Sequence, residues 1–379
     1  MVVSCGMEQS NKATRKEYLN SSKGSVHISV AWTESFDGEG VKNAITMAAE
    51  EINASNKIKG RELVINYHND GGDVTASRLI AQGIVDNPKT LGVVGHYTSY
   101  ITLPNLPAYE YNNVIMINPA SVSSEINSKG YKHIFSNIPN SKALGDAMAD
   151  YSQSRGYKKV FIYFVRNDYG QSIANGIENS VDDSGKLTIV SRLPYDSDSK
   201  RDMHLDIETM KKLHFDLLIL IGEAPYASDF VKTARSKGLN QPILNDGGLI
   251  TKKFLDDAGP AAEGVHLMTP FFHEIDNPKA KKFVTKYVKR NGTVPGVWAA
   301  QIYDSIHLLA HAANSAKTLQ APDIAKYLKS MPVYEGVTGD VVFNSEGTAV
   351  GKDLGVIIVK DGQFDFSVLL ENNDDKEEL

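Results

Sequence analysis

From Val26 onward the chain alternates short apolar runs with amphipathic stretches, and this rhythm constrains the fold more than any other feature. VHISVA (26–31) reads as a strand. EGVKNAITMAAEEINAS (39–55) places Val41, Ile45, Ala48, Ala49 and Ile52 on one helical face. ELVINY (62–67) is a strand, VTASRLIAQGIVD (74–86) a helix, and LGVVG (91–95) and VIMI (114–117) are strands flanking a helix near 101–112. A second run follows: helices at 142–155, 171–183, 202–213 and 226–237, with strands at 161–165, 187–190, 215–221 and 242–245. Buried strands joined by helix-length connections imply parallel sheets with right-handed crossovers. The expected fold is therefore α/β.

There are too many such units for one ordinary sheet, and 379 residues are enough for two lobes. SNIPNSK (136–142) breaks the pattern and marks one change of lobe. MTPFFHEIDNP (268–278) marks a second, after which helices at 278–290, 298–315 and 322–330 return to the first lobe. The stretch 339–368 reads as antiparallel strands with glycine turns. The expected division is a tether at 1–25, lobe 1 from 26–138 and 272–335, lobe 2 from 139–271 and 336–370, and an acidic tail at 371–379.

Composition narrows the function. The net charge of −6 is interspersed, without the basic stripe that nucleic acid requires. The longest apolar runs, such as LLILI at 217–221, are too short to cross a bilayer. Cys5 is the single cysteine, so neither an intrachain disulfide nor a cysteine-based zinc site can form. VVSC (2–5) ahead of a Ser/Asn/Lys-rich stretch matches the end of a bacterial lipoprotein signal, with Cys5 as the lipidated residue and residues 6–25 as a flexible tether.

The motifs of catalysis are missing. There is no GxGxxG after a strand, no GxxxxGK[ST], no GxSxG and no HExxH. Asp196, Asp198 and Asp202 lack the glycine and closing glutamate of a calcium loop, and His204 and His214 share no simple helical face. No cofactor and no metal is expected. What remains is a set of polar residues where parallel strands end, the place at which open α/β sheets bind ligands. The first strand delivers Trp32, Thr33 and Glu34, the third His96 to Ser99, and the fourth Asn118, Ala120 and Ser121. The second run delivers Asn167, Asp168 and Tyr169, then Glu223, then Asn245 and Asp246. Hydroxyls and backbone N–H groups suit a carboxylate, and carboxylates suit an ammonium.

AAEEINASNKIKGRELVI (48–65), VVGHYTS (93–99), VIMINPASVSSEINSKGYKHIF (114–135), NDYGQS (167–172), ARSKGL (234–239), AAEGVHLMTP (261–270) and GVTGDVVFNSEG (336–347) occur in an order and spacing that resemble the leucine/isoleucine/valine-binding protein family. These are the type I periplasmic solute-binding proteins of ABC transporters, and the resemblance covers roughly 26–360. It implies two Rossmann-like lobes joined by a multi-strand hinge, a ligand cleft between them, and no catalysis. It places Ser99 where a hydroxyl holds the ligand carboxylate, Ala120 where the backbone meets the same group, and Tyr169 at a pocket tyrosine of the second lobe. A further carboxylate-binding threonine is replaced by Val122, with Ser121 or Ser123 as the neighbours able to substitute. The ammonium-binding tyrosine and acid fall on Glu223 and Gly247, with Asp246 one residue early. Trp32 sits in a loop shorter than the family's usual one, and the family disulfide is absent.

The resulting expectation is an exported, lipid-anchored monomer in the periplasm or at the cell surface. It captures a small polar ligand, an amino acid or close analogue, by hinge closure and delivers it to an ABC permease. A sensory module of the same fold is the alternative. An enzyme using Tyr169, Glu223 and Asp246 as an acid/base set stands third.

Overall fold

The computed structural model describes residues 2–55, 57–184, 186–197 and 200–370, without the side chains of 2–10, 182–184, 200–202 and 369. The acidic tail at 371–379 lies outside the described residues, as do Asp198 and the side chain of Asp202. The chain forms two compact units. It passes from the first to the second after Pro139, returns after Phe272, and leaves again after Lys352.

The first unit is built on five parallel strands: β1 (Val26–Trp32), β2 (Leu63–Asn69), β3 (Thr90–Gly95), β4 (Ile115–Asn118) and β5 (Ile134–Ser136). Their order is β2-β1-β3-β4-β5. The sequence reading omitted β5, whose three residues follow a polar loop and show no period of their own. β3 is buried along its whole length. It stops at Gly95, where a Cβ would lie 2.3 Å from the Ala31 carbonyl oxygen, so only glycine lets β3 turn away so close to β1.

The second unit repeats this order. β6 (Lys159–Val165), β7 (Thr188–Tyr195), β8 (Leu217–Ile221), β9 (Ile243–Asn245) and β10 (Val265–Thr269) run parallel as β7-β6-β8-β9-β10. All five side chains of β8 are buried, each contributing about 1.5–3 kcal/mol of hydrophobic stabilisation. β7 runs on past the expected 187–190, because an edge strand tolerates Pro194.

The C-terminal strands are divided. β11 (Tyr334–Gly336), β12 (Gly339–Phe343) and β13 (Ala349–Val350) form a small antiparallel sheet in the first unit, while β14 (Leu354–Lys360) and β15 (Gln363–Leu370) extend the second unit's sheet antiparallel to β10. The expectation that 336–370 belongs wholly to the second lobe is corrected here. Asp304, on the helix Val297–Ser315, accepts the N–H groups of Val337 and Thr338 at 3.1 and 3.2 Å, and Ser136 N–H donates to Gly347 O. These bonds tie 336–352 to the first unit.

The tether is also corrected. Residues Val2–Asn20 form a helix, and its described part is docked on the first unit. Arg15 and Leu19 are buried, and the Arg15 guanidinium donates to Asn112 O at 2.6 Å. Arg61 spans the loop that follows, donating to Ser21 O and Gly24 O. A few large side chains carry this docking, which is why a polar average concealed it. The side chain of Cys5 lies outside the described residues.

Candidate functional site

In each unit the order of strands reverses direction between the first and third strands, β1 and β3 or β6 and β8. This is the switch point where the loops at the carboxyl ends diverge and leave room for a ligand.

In the first unit the loop after β3 is held from below by a buried relay. Tyr109 O–H donates to His96 Nε2 at 2.9 Å, and His96 Nδ1–H donates to Asp70 Oδ2 at 3.1 Å. Thr33 O–H donates to the other Asp70 oxygen at 2.6 Å, as does Gly72 N–H at 3.0 Å. Burial works against the charged carboxylate, but the bonds from His96, Thr33 and Gly72 hold the Asp70 carboxyl below its ordinary value. Burial pushes the Tyr109 phenol up, so it remains a donor.

Ser121 ties the loops after β3 and β4 together. Its hydroxyl donates to Tyr97 O at 3.0 Å and shares its oxygen with Thr102 Oγ1 at 2.6 Å. Asn118 Oδ1 accepts the N–H groups of Ala120 and Ser121 at 3.2 and 2.8 Å. Ser121 and the Ala120 N–H are thus engaged in positioning the loop. Val122 is buried and apolar. Ser123 N–H donates to Ser99 Oγ at 3.3 Å, and among the described residues nothing takes the Ser99 hydroxyl hydrogen. Thr98 Oγ1 is buried without a partner among the described residues. Thr98 and Ser99 are therefore the hydroxyls of this loop with hydrogen-bonding capacity left.

Trp32 belongs to an aromatic group. Tyr97 packs edge-on against it with ring centres 5.0 Å apart, stacks on Phe36 at 4.2 Å, and meets Trp298 at 5.1 Å. Trp298 comes from the first turn of the helix Val297–Ser315. Phe36 and Trp298 were not singled out in the sequence. The signal for Trp298 was its rarity, since the chain has two tryptophans.

In the second unit Tyr169, at the start of the helix Asp168–Ser184, donates its phenol to Asp246 Oδ2. The other oxygen of Asp246 accepts Gly222 N–H at 3.2 Å and Asn245 Nδ2–H at 3.1 Å. Burial pushes the Asp246 carboxyl up to about 6 against these hydrogen bonds. The turn after β9 is shaped by its neighbour: Asn245 Oδ1 accepts Gly247 and Leu249 N–H, and Asn245 Nδ2 donates to Leu220 O. Glu223 follows β8, and a Cβ on Gly248 would lie 3.0 Å from its Cγ, so both acids stand at the ends of adjacent strands. Burial first, then the charges of Asp246 and Glu223, raise the Tyr195 phenol well above its ordinary value. Both acids are half-buried, where a charged carboxylate needs hydrogen bonds or an opposite charge to be tolerated. Among the described residues no cluster of His, Cys, Asp and Glu suits a metal ion, and no helix is long and apolar enough to cross a membrane. His204 and His214 are both exposed.

The model of the family described as periplasmic binding protein matches residues 32–363. The chain is 26% identical over 312 residues to the leucine-, isoleucine-, valine-, threonine- and alanine-binding protein of Pseudomonas aeruginosa, covering 82% of each chain. It is 25% identical over 313 residues to the Leu/Ile/Val-binding protein of Escherichia coli, covering 82% of this chain and 83% of that one. Among solved structures, a leucine-binding protein from Thermotoga maritima superposes with a TM-score of 0.85 at 25% identity, over 92% of this chain and 99% of that one. An ABC transporter substrate-binding protein from Desulfitobacterium hafniense in complex with Leu gives 0.81 at 26% identity, over 90% and 100%. These relatives are binding proteins rather than enzymes.

Proposed function

We propose that this chain, which belongs to the periplasmic binding protein family, captures a free amino acid outside the cytoplasm and hands it unchanged to the permease of an ABC transporter. The observation that carries this reading is the contrast between its two strand-end sites. The first unit offers the hydroxyls of Thr98 and Ser99 beside an aromatic group, and the second offers Asp246 and Glu223 with the Tyr169 phenol. An α-amino acid presents a carboxylate, an ammonium and a side chain, one group for each feature. Buried charges need such pairing to be tolerated. The relatives named for leucine, valine or threonine support the same ligand class.

In this reading Ser99 takes the ligand carboxylate, while Ala120, Ser121 and Val122 shape its loop. Tyr169, Glu223 and Asp246 hold the ammonium, and Trp32 borders the side chain. The chain acts as a monomer anchored to the membrane through lipidated Cys5. Labelling cells with palmitate tests the anchor: label that persists on Cys5→Ser removes it.

A thermal-shift screen against the amino acids, with turnover followed in parallel, tests the main proposal. A ligand at a hundred times its dissociation constant adds about 2.7 kcal/mol to stability. Stabilisation by an amino acid that is recovered intact is the expected result. Absence of any amino-acid hit, or conversion of the ligand, overturns it.

A further inference from the structure

Gln301 lies on the helix Val297–Ser315 and is completely buried. Neither Nε2 nor Oε1 of its amide has a hydrogen-bond partner among the described residues. A buried amide of this kind is costly unless something completes its bonds. Its place on the helix says where those bonds point. Residues three and four apart share a helical face, so Gln301 stands between Trp298 and Ser305. Trp298 packs on Tyr97, just beyond β3. Ser305 Oγ accepts Asn137 Nδ2–H at 3.2 Å, just beyond β5. Further along the same face, Leu309 packs where Gly92 of β3 leaves space. The helix therefore descends along the sheet from its carboxyl end. Helical side chains lean toward the N-terminus, which directs the Gln301 amide toward Trp298, Tyr97 and Trp32.

We propose that Gln301 is a specificity-determining residue of the first unit's site, giving and accepting a hydrogen bond with a neutral polar group, a hydroxyl or carboxamide, on the ligand's side chain. This inference rests on the amino-acid reading above and deepens it. The aromatic group supplies apolar contact for the body of that side chain, and Gln301 supplies a neutral amide that both donates and accepts. Of the acids on or beside this helix, Asp304 is bonded to Val337 and Thr338, and Asp37 accepts the backbone N–H groups of Gly40 and Ala299 at its first turn. A purely aliphatic side chain would leave both amide atoms buried and unbonded.

The test uses isosteric ligand pairs on the full chain: threonine against valine, and glutamine against methionine, by titration calorimetry. The expected result is at least tenfold tighter binding of the polar member in one pair. Gln301→Leu then lowers affinity for that polar member and raises it for its apolar partner, so that the discrimination falls to within threefold. Gln301→Met serves as a second variant of similar length should the first fold poorly. The unliganded melting temperature of either variant stays equal or rises, because an unbonded amide has been removed. Equal affinities within both pairs in the native chain, or discrimination that survives in both variants, overturns the inference while leaving amino-acid capture intact. Failure of the native chain to bind any amino acid overturns that broader reading, and this one with it.

Discussion

The Tyr169 phenol donates to Asp246 Oδ2, joining the first turn of the helix Asp168–Ser184 to the turn that follows β9. The two residues are 77 positions apart in the chain, and the bond depends on the folded sheet. It gives Asp246 a neutral donor to rest on, yet burial still keeps its carboxyl at about 6. At acid pH a proton satisfies the carboxyl, and above that pH the charged form rests on the Tyr169, Gly222 and Asn245 donors.

Ligand affinity should therefore depend on pH in a definite direction. Below about 6 Asp246 is protonated and must lose its proton to pair with an ammonium. Calorimetry of an amino-acid ligand should show affinity rising from pH 5 to pH 7, then levelling. Asp246→Asn should remove that rise and cost at least tenfold at pH 7, about 1.4 kcal/mol. Glu223→Gln should weaken the ligand by a similar factor. A flat profile in the native chain would remove Asp246 from the ammonium site.

Ser99→Ala should weaken the ligand and spare the fold. Its hydroxyl hydrogen has no acceptor among the described residues, so nothing internal is lost except the acceptor for Ser123 N–H. Loss of one charge-assisted hydrogen bond costs roughly 1.5–3 kcal/mol. Ser121→Ala should behave differently, because its hydroxyl bonds Tyr97 O and Thr102. It should lower the melting temperature as well as the affinity. Calorimetry and melting curves on the two variants separate the cases.

Asp70 and His96 should matter for stability before binding. Their bond is fully buried, and removing one partner of a buried pair costs about 3–5 kcal/mol. The Asp70 carboxyl is held below its ordinary value, so the stability it contributes is present above the unfolded-state value of 3.8 and is lost as pH falls through its folded-state value. Melting temperature should therefore fall steeply in acid below that range. In His96→Leu, at a lower overall stability, the slope should be shallower.

The repeated order of strands was legible because β1, β3 and β8 are apolar runs between helices with clear faces, and the expected α/β fold with parallel sheets follows from them. β5 and β10 escaped because IFS follows a polar loop and a histidine interrupts the apolar run of VHLMT. The N-terminal helix escaped because Arg15 and Leu19 are buried within an otherwise polar stretch. Several candidate positions could be named at strand ends, but their division of labour could not. Asn245 shapes the turn and Asp246 holds Tyr169, although adjacent polar residues look equivalent in sequence. Gln301 was written in plain view, a glutamine within the buried face of VWAAQIYDSI, and helical patterning alone gives it no partner.

Lys352 allows a last prediction of the opposite sign. It is the final residue before the chain leaves the first unit, and its ammonium is buried. It donates to Asn137 Oδ1 at 2.8 Å and Thr338 Oγ1 at 2.9 Å, and Asn137 lies just ahead of the first crossing. Burial lowers its value to about 8, while the charges of Asp304 and Asp340 partly restore it. A lysine depressed from 10.5 favours the unfolded state while both forms are protonated, below about 8. The folded chain should therefore gain stability as pH rises from about 8 toward 10.5, the reverse of the usual loss in base. Lys352→Met removes the titrating group and keeps the length of the side chain. Denaturant unfolding of the two proteins across pH 7 to 10.5 should show a rising difference in favour of the native lysine. Parallel curves would mean that the Lys352 ammonium keeps its proton throughout.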